Sequence, residues 1–156
     1  DAIVRSATAA ELFDAICRAV VDFGEFEMAW VGMVDQADLT IRRAAAAGAR
    51  QAYLDELTLT LDPDVPGGQG PLALAIRNSA PFWFDDVEAS AIDSPLMTRV
   101  RQYGWASMGA VPLLQEGAAV GLVGGGVIEL AGRALAGDAV ALDIAHVGAG
   151  RVQALA

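Results

Sequence analysis

Two short polar turns do most to limit the folds open to this chain. Asp35-Gln36-Ala37-Asp38 follows the β-type run EMAWVGMVD (27–35) and leads into LTIRRAAAAG (39–48). Gln115-Glu116-Gly117 joins WASMGAVPLL (105–114) to AAVGLVGGGVIEL (118–130). A parallel neighbour needs a crossover of roughly a dozen residues or more, so connections this short demand antiparallel pairing. Two hairpins are therefore expected.

The remaining segments fit around them. Leu12, Ile16, Val20 and Phe23 recur at helical spacing, Thr8 and Glu11 have capping-box spacing, and Gly24 is a stop, which predicts a helix over 8–23. A short helix is expected over 50–56, and LTLTL (57–61) alternates as a strand does. The segment DPDVPGGQG (62–70) is a loop, and Pro71 opens a helix over 71–78. PFWFDD (81–86) reads as a strand, and Asp93 or Ser94 caps a helix that Pro95 opens and that runs to Tyr103. A last helix is expected from Gly137 to Ala156, with Val140, Ile144 and Val147 as its apolar stripe and Gly148 and Gly150 weakening it. The predicted class is α+β: a central antiparallel β-sheet flanked by helices, as one domain over residues 1–156.

Composition narrows the function. The net charge of −10 disfavours nucleic acid, whose binding needs phosphates neutralised, and all ten basic residues are Arg. The single Cys17 excludes an internal disulfide and a Cys-based zinc site. No apolar run reaches the about 18 residues that span a bilayer, and no signal peptide is visible, so no membrane and a cytoplasmic setting are expected. The chain begins at Asp1 without an initiator Met, which fits a part of a longer protein.

Gly68-Gln69-Gly70-Pro71-Leu72-Ala73 fits the loose dinucleotide pattern, with Asp85 where a ribose-binding acid would fall. A nucleotide-dependent enzyme is therefore one hypothesis. Its context fails, because LTLTL is separated from the glycines by Asp62-Pro63-Asp64-Val65-Pro66, and two acids would repel pyrophosphate. A Walker loop needs a Lys, and the chain has none. The competing reading is that the glycines permit a tight reversal into the helix at Pro71.

MAWVGMVD, GQGPLALAIRNSAPFWFDDVEAS, SPLMTRVRQYGWASMGAVPLL and GAAVGLV together resemble GAF domains of bacterial sensor kinases, cyclic-di-GMP enzymes and transcriptional regulators. The resemblance covers residues 8–123 in order and weakens over 124–156. It implies a GAF/PAS-like sheet with a small-molecule pocket on one face and helices on the other. The terminal helices of such domains often pair between subunits, so a homodimer and an attached output domain (kinase, cyclic-di-GMP enzyme or transcription regulator) are the implied partners.

Each chemistry hosted by this family then meets its own test. A covalent bilin needs a Cys near the pocket, and Cys17 lies in the first helix. Methionine sulfoxide reduction uses several cysteines. Cyclic-nucleotide members resemble a pattern containing Lys. Haem needs an axial ligand, and the one His is His146, in the C-terminal segment. No cofactor and no catalytic residue is predicted, and the chain is read as a regulatory domain and not an enzyme.

The expected ligand is an uncharged or mildly polar small molecule. Trp83 and Asp85 share one face of their strand, Phe82 and Phe84 the other. Trp105, Ser107, Gly109 and Val111 share a face, as do Trp30 and Gly32. Aromatic bulk, small residues and a few polar groups mark a ligand face. The candidate site is therefore Trp30, Trp83, Asp85, Asp86, Trp105, Ser107 and Gly109, with Met97 and Tyr103 as its lid. For each Trp, ordinary core packing competes with this reading; for Asp85 and Asp86, turn formation does. A ligand-sensing domain is the first functional reading, and a ligand-free GAF-fold dimerisation or scaffold module the alternative.

Overall fold

Both hairpins form as their turns require. β1 (Met28–Val34) pairs antiparallel with β2 (Ile41–Gly48), and β4 (Ser107–Gln115) with β5 (Ala118–Val127). The computed structural model describes residues 2–23, 26–55, 59–84, 86–91 and 94–127. β5 also pairs antiparallel with β1, and the short β3 (Phe82–Phe84) with β4. The result is one five-stranded sheet in the order β2-β1-β5-β4-β3.

The turns have distinct local chemistry. In the first, Asp35 Oδ1 accepts from the Ala37 amide and Asp38 Oδ1 from both the amide and the hydroxyl of Thr40. The Thr40 hydroxyl, then its amide, hold the Asp38 carboxyl below its ordinary range. In the second, Glu116 and Gly117 both have positive φ, 52° and 81°. Two positive φ values mark the mirror-image turn that matches strand twist, and Asn suits its first position better than Glu. Glu116→Asn is therefore expected to raise the unfolding free energy by about 0.5 kcal/mol, read from the urea midpoint.

Side chains alternate across each strand, so every strand supplies two faces. Met28, Trp30, Met108, Ala110 and Leu122 belong to one packed cluster, and Ala29, Val31, Val111, Leu113 and Val123 to the other. α1 (Ala2–Phe23) covers the second face through Ile16, Cys17 and Val20. The first face lies under α2 (Pro71–Asn78), α3 (Pro95–Gln102) and a 3-10 turn (Gln51–Leu54). Leu72 and Ile76 of α2 and Leu96, Met97 and Val100 of α3 are its apolar contacts.

Several expectations shift. α1 begins at Ala2, so Thr8 lies inside it; residues 2–7 contain no Gly or Pro to stop a helix. The expected helix over 50–56 is only the 3-10 turn, entered through Arg50 in a left-handed conformation. Within LTLTL, residues 57–58 lie outside the described segments, and Thr60 forms an isolated bridge with Thr40. Its partner segment turns at Leu39, with φ of 59°, and Pro63 stops the extended path after Asp62, so the pairing stays this short. The predicted C-terminal helix and His146 lie outside the described residues.

Cys17 is fully buried between α1 and the sheet. Burial, and then the nearby Asp14 charge, push its thiol from 9.0 up to about 12. An unfolded thiol loses its proton near pH 9, whereas the folded one retains it to about pH 12. This contribution to stability is therefore intact below pH 9 and is lost as pH rises towards 12, by up to about 1.4 kcal/mol per pH unit. The alkaline limb of the stability curve should be shallower in Cys17→Ala, measured by urea unfolding at a series of pH values.

Candidate functional site

On the face beneath α2 and α3, glycines make room for aromatic rings. A Cβ at Gly32 or Gly124 would come closer than 3.0 Å to the Trp30 ring, and one at Gly126 closer than 3.0 Å to the Trp105 ring. These rings lie flat on a sheet that has no side chains at those points. Burial raises the Tyr53 pKa, against a smaller opposing effect of the neighbouring Trp30 indole. Tyr53 meets Trp105 edge-on at 5.7 Å and Tyr103 at 6.1 Å between ring centroids. Met97 is buried in the same cluster, and Tyr103 packs half-buried against it.

The structure thus brings together Trp30, Met97, Tyr103 and Trp105 of the predicted site. It separates Trp83, Ser107 and Gly109, which belong to the α1 face. Trp83 lies over Gly109, where a Cβ would overlap its ring, and meets Phe26 edge-on at 5.4 Å. The predicted single ligand face is therefore corrected to two. Parity fails because Trp105 precedes β4: Gly104 has φ of 76° and the chain bends at Ala106 before alternation begins at Ser107. Asp86 shapes a turn: its Oδ1 accepts from the amides of Glu88 and Ala89. Asp85 lies outside the described residues. Among the described residues, Trp83 Nε1, Trp105 Nε1 and Ser107 Oγ are buried without a hydrogen-bond partner.

The open space lies beside this aromatic cluster. A groove of about 660 Å³ runs between the segment 59–70 and α3. Thr60, Val65, Pro66 and Gly67 supply one wall, and Ser94, Leu96, Arg99 and Gln102 the other.

Each wall is held from a distance. The Arg77 guanidinium donates to the carbonyls of Leu61 and Gly68, and Gln69 Nε2 donates to the Pro63 carbonyl at 2.9 Å. On the other side Ser94 Oγ caps α3 by accepting from the Met97 amide at 3.1 Å. The Arg50 guanidinium donates to the Tyr103 carbonyl at the far end of that helix, where a cation is favoured.

The sequence reading missed Tyr53, Arg50, Arg77 and the groove residues. Their partners lie far away in the chain, and no local pattern encodes those pairings. The Pro and Gly content of 62–70 did mark a reversal, which Gly68 makes against the Asp62 carbonyl.

The arrangement can enclose a small molecule between an anchored loop and a helix. Among the described residues no group of three His, Cys, Asp or Glu side chains is placed to hold a metal ion. No described helix is long and apolar enough to cross a membrane. Every strand pair in the sheet is antiparallel, so the parallel strand–glycine loop–helix unit of a dinucleotide fold does not form.

A family model described as GAF domain matches residues 6–140. No curated protein matched the chain. Among solved structures, a GAF domain/HD domain protein from Geobacter sulfurreducens is similar with TM-score 0.67 at 17% identity, over 94% of this chain and 92% of that one. The blue-light absorbing form of the Thermosynechococcus elongatus PixJ GAF domain has TM-score 0.72 at 9% identity, over 97% and 86%. A type II free methionine-R-sulfoxide reductase from Thermoplasma acidophilum has TM-score 0.65 at 14% identity, over 92% of both chains. At these identities the likeness is one of fold.

Proposed function

The chain belongs to the GAF domain family, and from that premise we propose that it is the small-molecule-binding sensory domain of a bacterial signal-transduction protein. The observation that carries this reading is the groove of about 660 Å³ between 59–70 and α3. Its volume falls in the range of small-molecule sites, and it combines apolar walls with a few polar groups. α3 is well placed to report occupancy. The Trp105 amide donates to the Val100 carbonyl at 3.1 Å, and the Ala106 amide to the Val127 carbonyl at 2.8 Å. Movement of α3 is thereby coupled to the end of β5, from which the chain continues towards its C-terminus. A ligand shifts this equilibrium only by its differential affinity for the two states. The Geobacter sulfurreducens neighbour, a GAF domain/HD domain protein, supports attachment to an output domain. A cytoplasmic setting belongs to the same proposal.

Native mass spectrometry of freshly purified protein tests it. A co-purifying small molecule is expected, and Thr98→Trp, which fills the groove from an exposed position of α3, should abolish its retention without lowering the melting temperature by more than a few degrees. Apo protein alone, with no metabolite raising the melting temperature, would sink the sensing reading.

One observation favours a second reading, a ligand-free dimerisation or scaffold module. Trp30, Tyr53 and Trp105 interlock on the face where a wider cavity was expected. Apo protein of doubled mass would support that role. Thiol chemistry of the kind that several cysteines provide gains no support here. Cys17 lies on the α1 face, away from the groove, and burial keeps it protonated.

A further inference from the structure

We infer that the ligand of this groove is an uncharged amphiphile, apolar along one side and carrying hydroxyl or carboxamide groups along the other, an assignment that rests on the groove being the binding site. The wall from the segment 59–70 presents Leu59, Val65 and Pro66. The opposite wall presents Ser94, the cap of α3, with Thr98 and Gln102 of the helix itself. These three stand four residues apart, so they form one row along the helix, with roughly 5–6 Å between successive side chains. An apolar surface thus faces a row of neutral polar groups.

The hydrogen bonds already made by that row decide what it can still take. Thr98 Oγ1 donates to the Ser94 carbonyl at 3.2 Å, so its remaining lone pairs need a donor from the ligand. Ser94 Oγ accepts from the Met97 amide at 3.1 Å and keeps its own proton for an acceptor. The Gln102 carboxamide offers both a donor and an acceptor. A carboxylate only accepts and an ammonium only donates, so either ion leaves part of the row unmatched. A hydroxyl or a carboxamide does both.

Charge points the same way. Among the described residues lining the groove none is Asp, Glu, Lys or His, so a cation meets no counter-charge there. Arg99 also lines it, but its guanidinium stacks 5.1 Å from the centre of the Tyr103 ring, and its Nε and Nη2 are fully buried. Atoms that water does not reach are not offered to a molecule lying in the groove. At the α3 N-terminus Pro95 has no amide proton and that of Met97 is taken by Ser94, so little is left there to hold an anion. An ion would exchange its hydration for an apolar wall and neutral groups, a loss that an uncharged molecule avoids.

Isothermal titration of the whole chain with octanamide, octanoate and octylammonium separates the charge states at one chain length. The amide is expected to bind saturably and one to one, and both ions at least about tenfold more weakly. A second pair reads the polar row: octanol, and an octanediol whose hydroxyls are spaced like successive side chains of the row. The diol should bind about fivefold more tightly. Thr98→Val keeps the shape of an exposed side chain, removes its hydroxyl and should erase that gain. The comparisons on the unaltered chain stand even where a variant folds poorly.

Equal or tighter binding of either ion, a diol no better than octanol, or a gain that survives in Thr98→Val overturns the assignment. So does the absence of saturable binding throughout the series. If Thr98→Trp still excludes a co-purifying molecule in those cases, the groove stands and only the ligand class falls. Amide binding that Thr98→Trp leaves intact overturns the groove as its site.

Discussion

Trp30→Ala is expected to lower the unfolding free energy by about 3–5 kcal/mol. The side chain is 2% exposed on β1, between β2 and β5. Removing it leaves a cavity bounded by Gly32 and Gly124, whose backbone is locked in the sheet and cannot collapse inward. A domain of this size is stable by about 5–15 kcal/mol in total, so the variant approaches the unfolding limit. Chemical denaturation of both proteins measures the difference.

The same geometry predicts a coupling. Gly124→Ala alone should cost about 1–3 kcal/mol, because its Cβ would enter the Trp30 ring, which Gly32 confines from the other side. In the Trp30→Ala background that methyl enters empty space, so Gly124→Ala should become neutral or stabilising. A coupling energy of at least about 1 kcal/mol is expected from the double-mutant cycle. Additivity within about 0.5 kcal/mol would show that ring and glycine are not in contact.

How far the sequence reaches is clear from these residues. The pairing of β1 with β2 and of β4 with β5 was legible because turn length restricts strand direction. Face sharing within a strand was legible too: Phe82 and Phe84 do pack together, at 5.6 Å between centroids, and Ser107, Gly109 and Val111 do share a face. Comparison between strands was not. It depends on register, such as Trp83 opposite Gly109 opposite Gly125, which is set by packing of the whole sheet. A bend at the single residue Ala106, between Trp105 and the start of β4, was enough to put Trp105 on the face opposite Ser107. No local pattern marks Gly124 and Gly126 of β5 as packing positions, yet they are the seats of two Trp rings. The groove was illegible for a different reason. Its walls come from 59–70 and 94–102, and Arg77 and Arg50 hold them through backbone carbonyls, which leave no trace in sequence.

Gly68→Ala and Gly70→Ala should have opposite outcomes, although the two glycines stand one residue apart in the same motif. A Cβ at Gly68 would overlap the carbonyl of Asp62. The obstacle is backbone, so no rotamer change relieves it, and the Asp62 segment is itself fixed. The Asp62 amide donates to Thr60 Oγ1 at 3.0 Å, and Thr60 bridges to Thr40 on the sheet edge. Arg77 also holds the carbonyls of Leu61 and Gly68 together. Gly68→Ala must therefore push this wall of the groove outward and break the Arg77 clamp, at an expected cost of about 3 kcal/mol and with loss of ligand retention. At Gly70 the nearest atom to an added Cβ is 3.8 Å away and φ is −77°, an ordinary value for alanine. Gly70→Ala should change stability by less than about 0.5 kcal/mol. A phosphate-gripping loop would need both glycines for close approach to its ligand, whereas a backbone reversal needs only the one in contact. Urea unfolding of the two variants separates these accounts: a harmless Gly68→Ala, or a Gly70→Ala as damaging as its neighbour, would remove the close approach to Asp62 as the reason for glycine here.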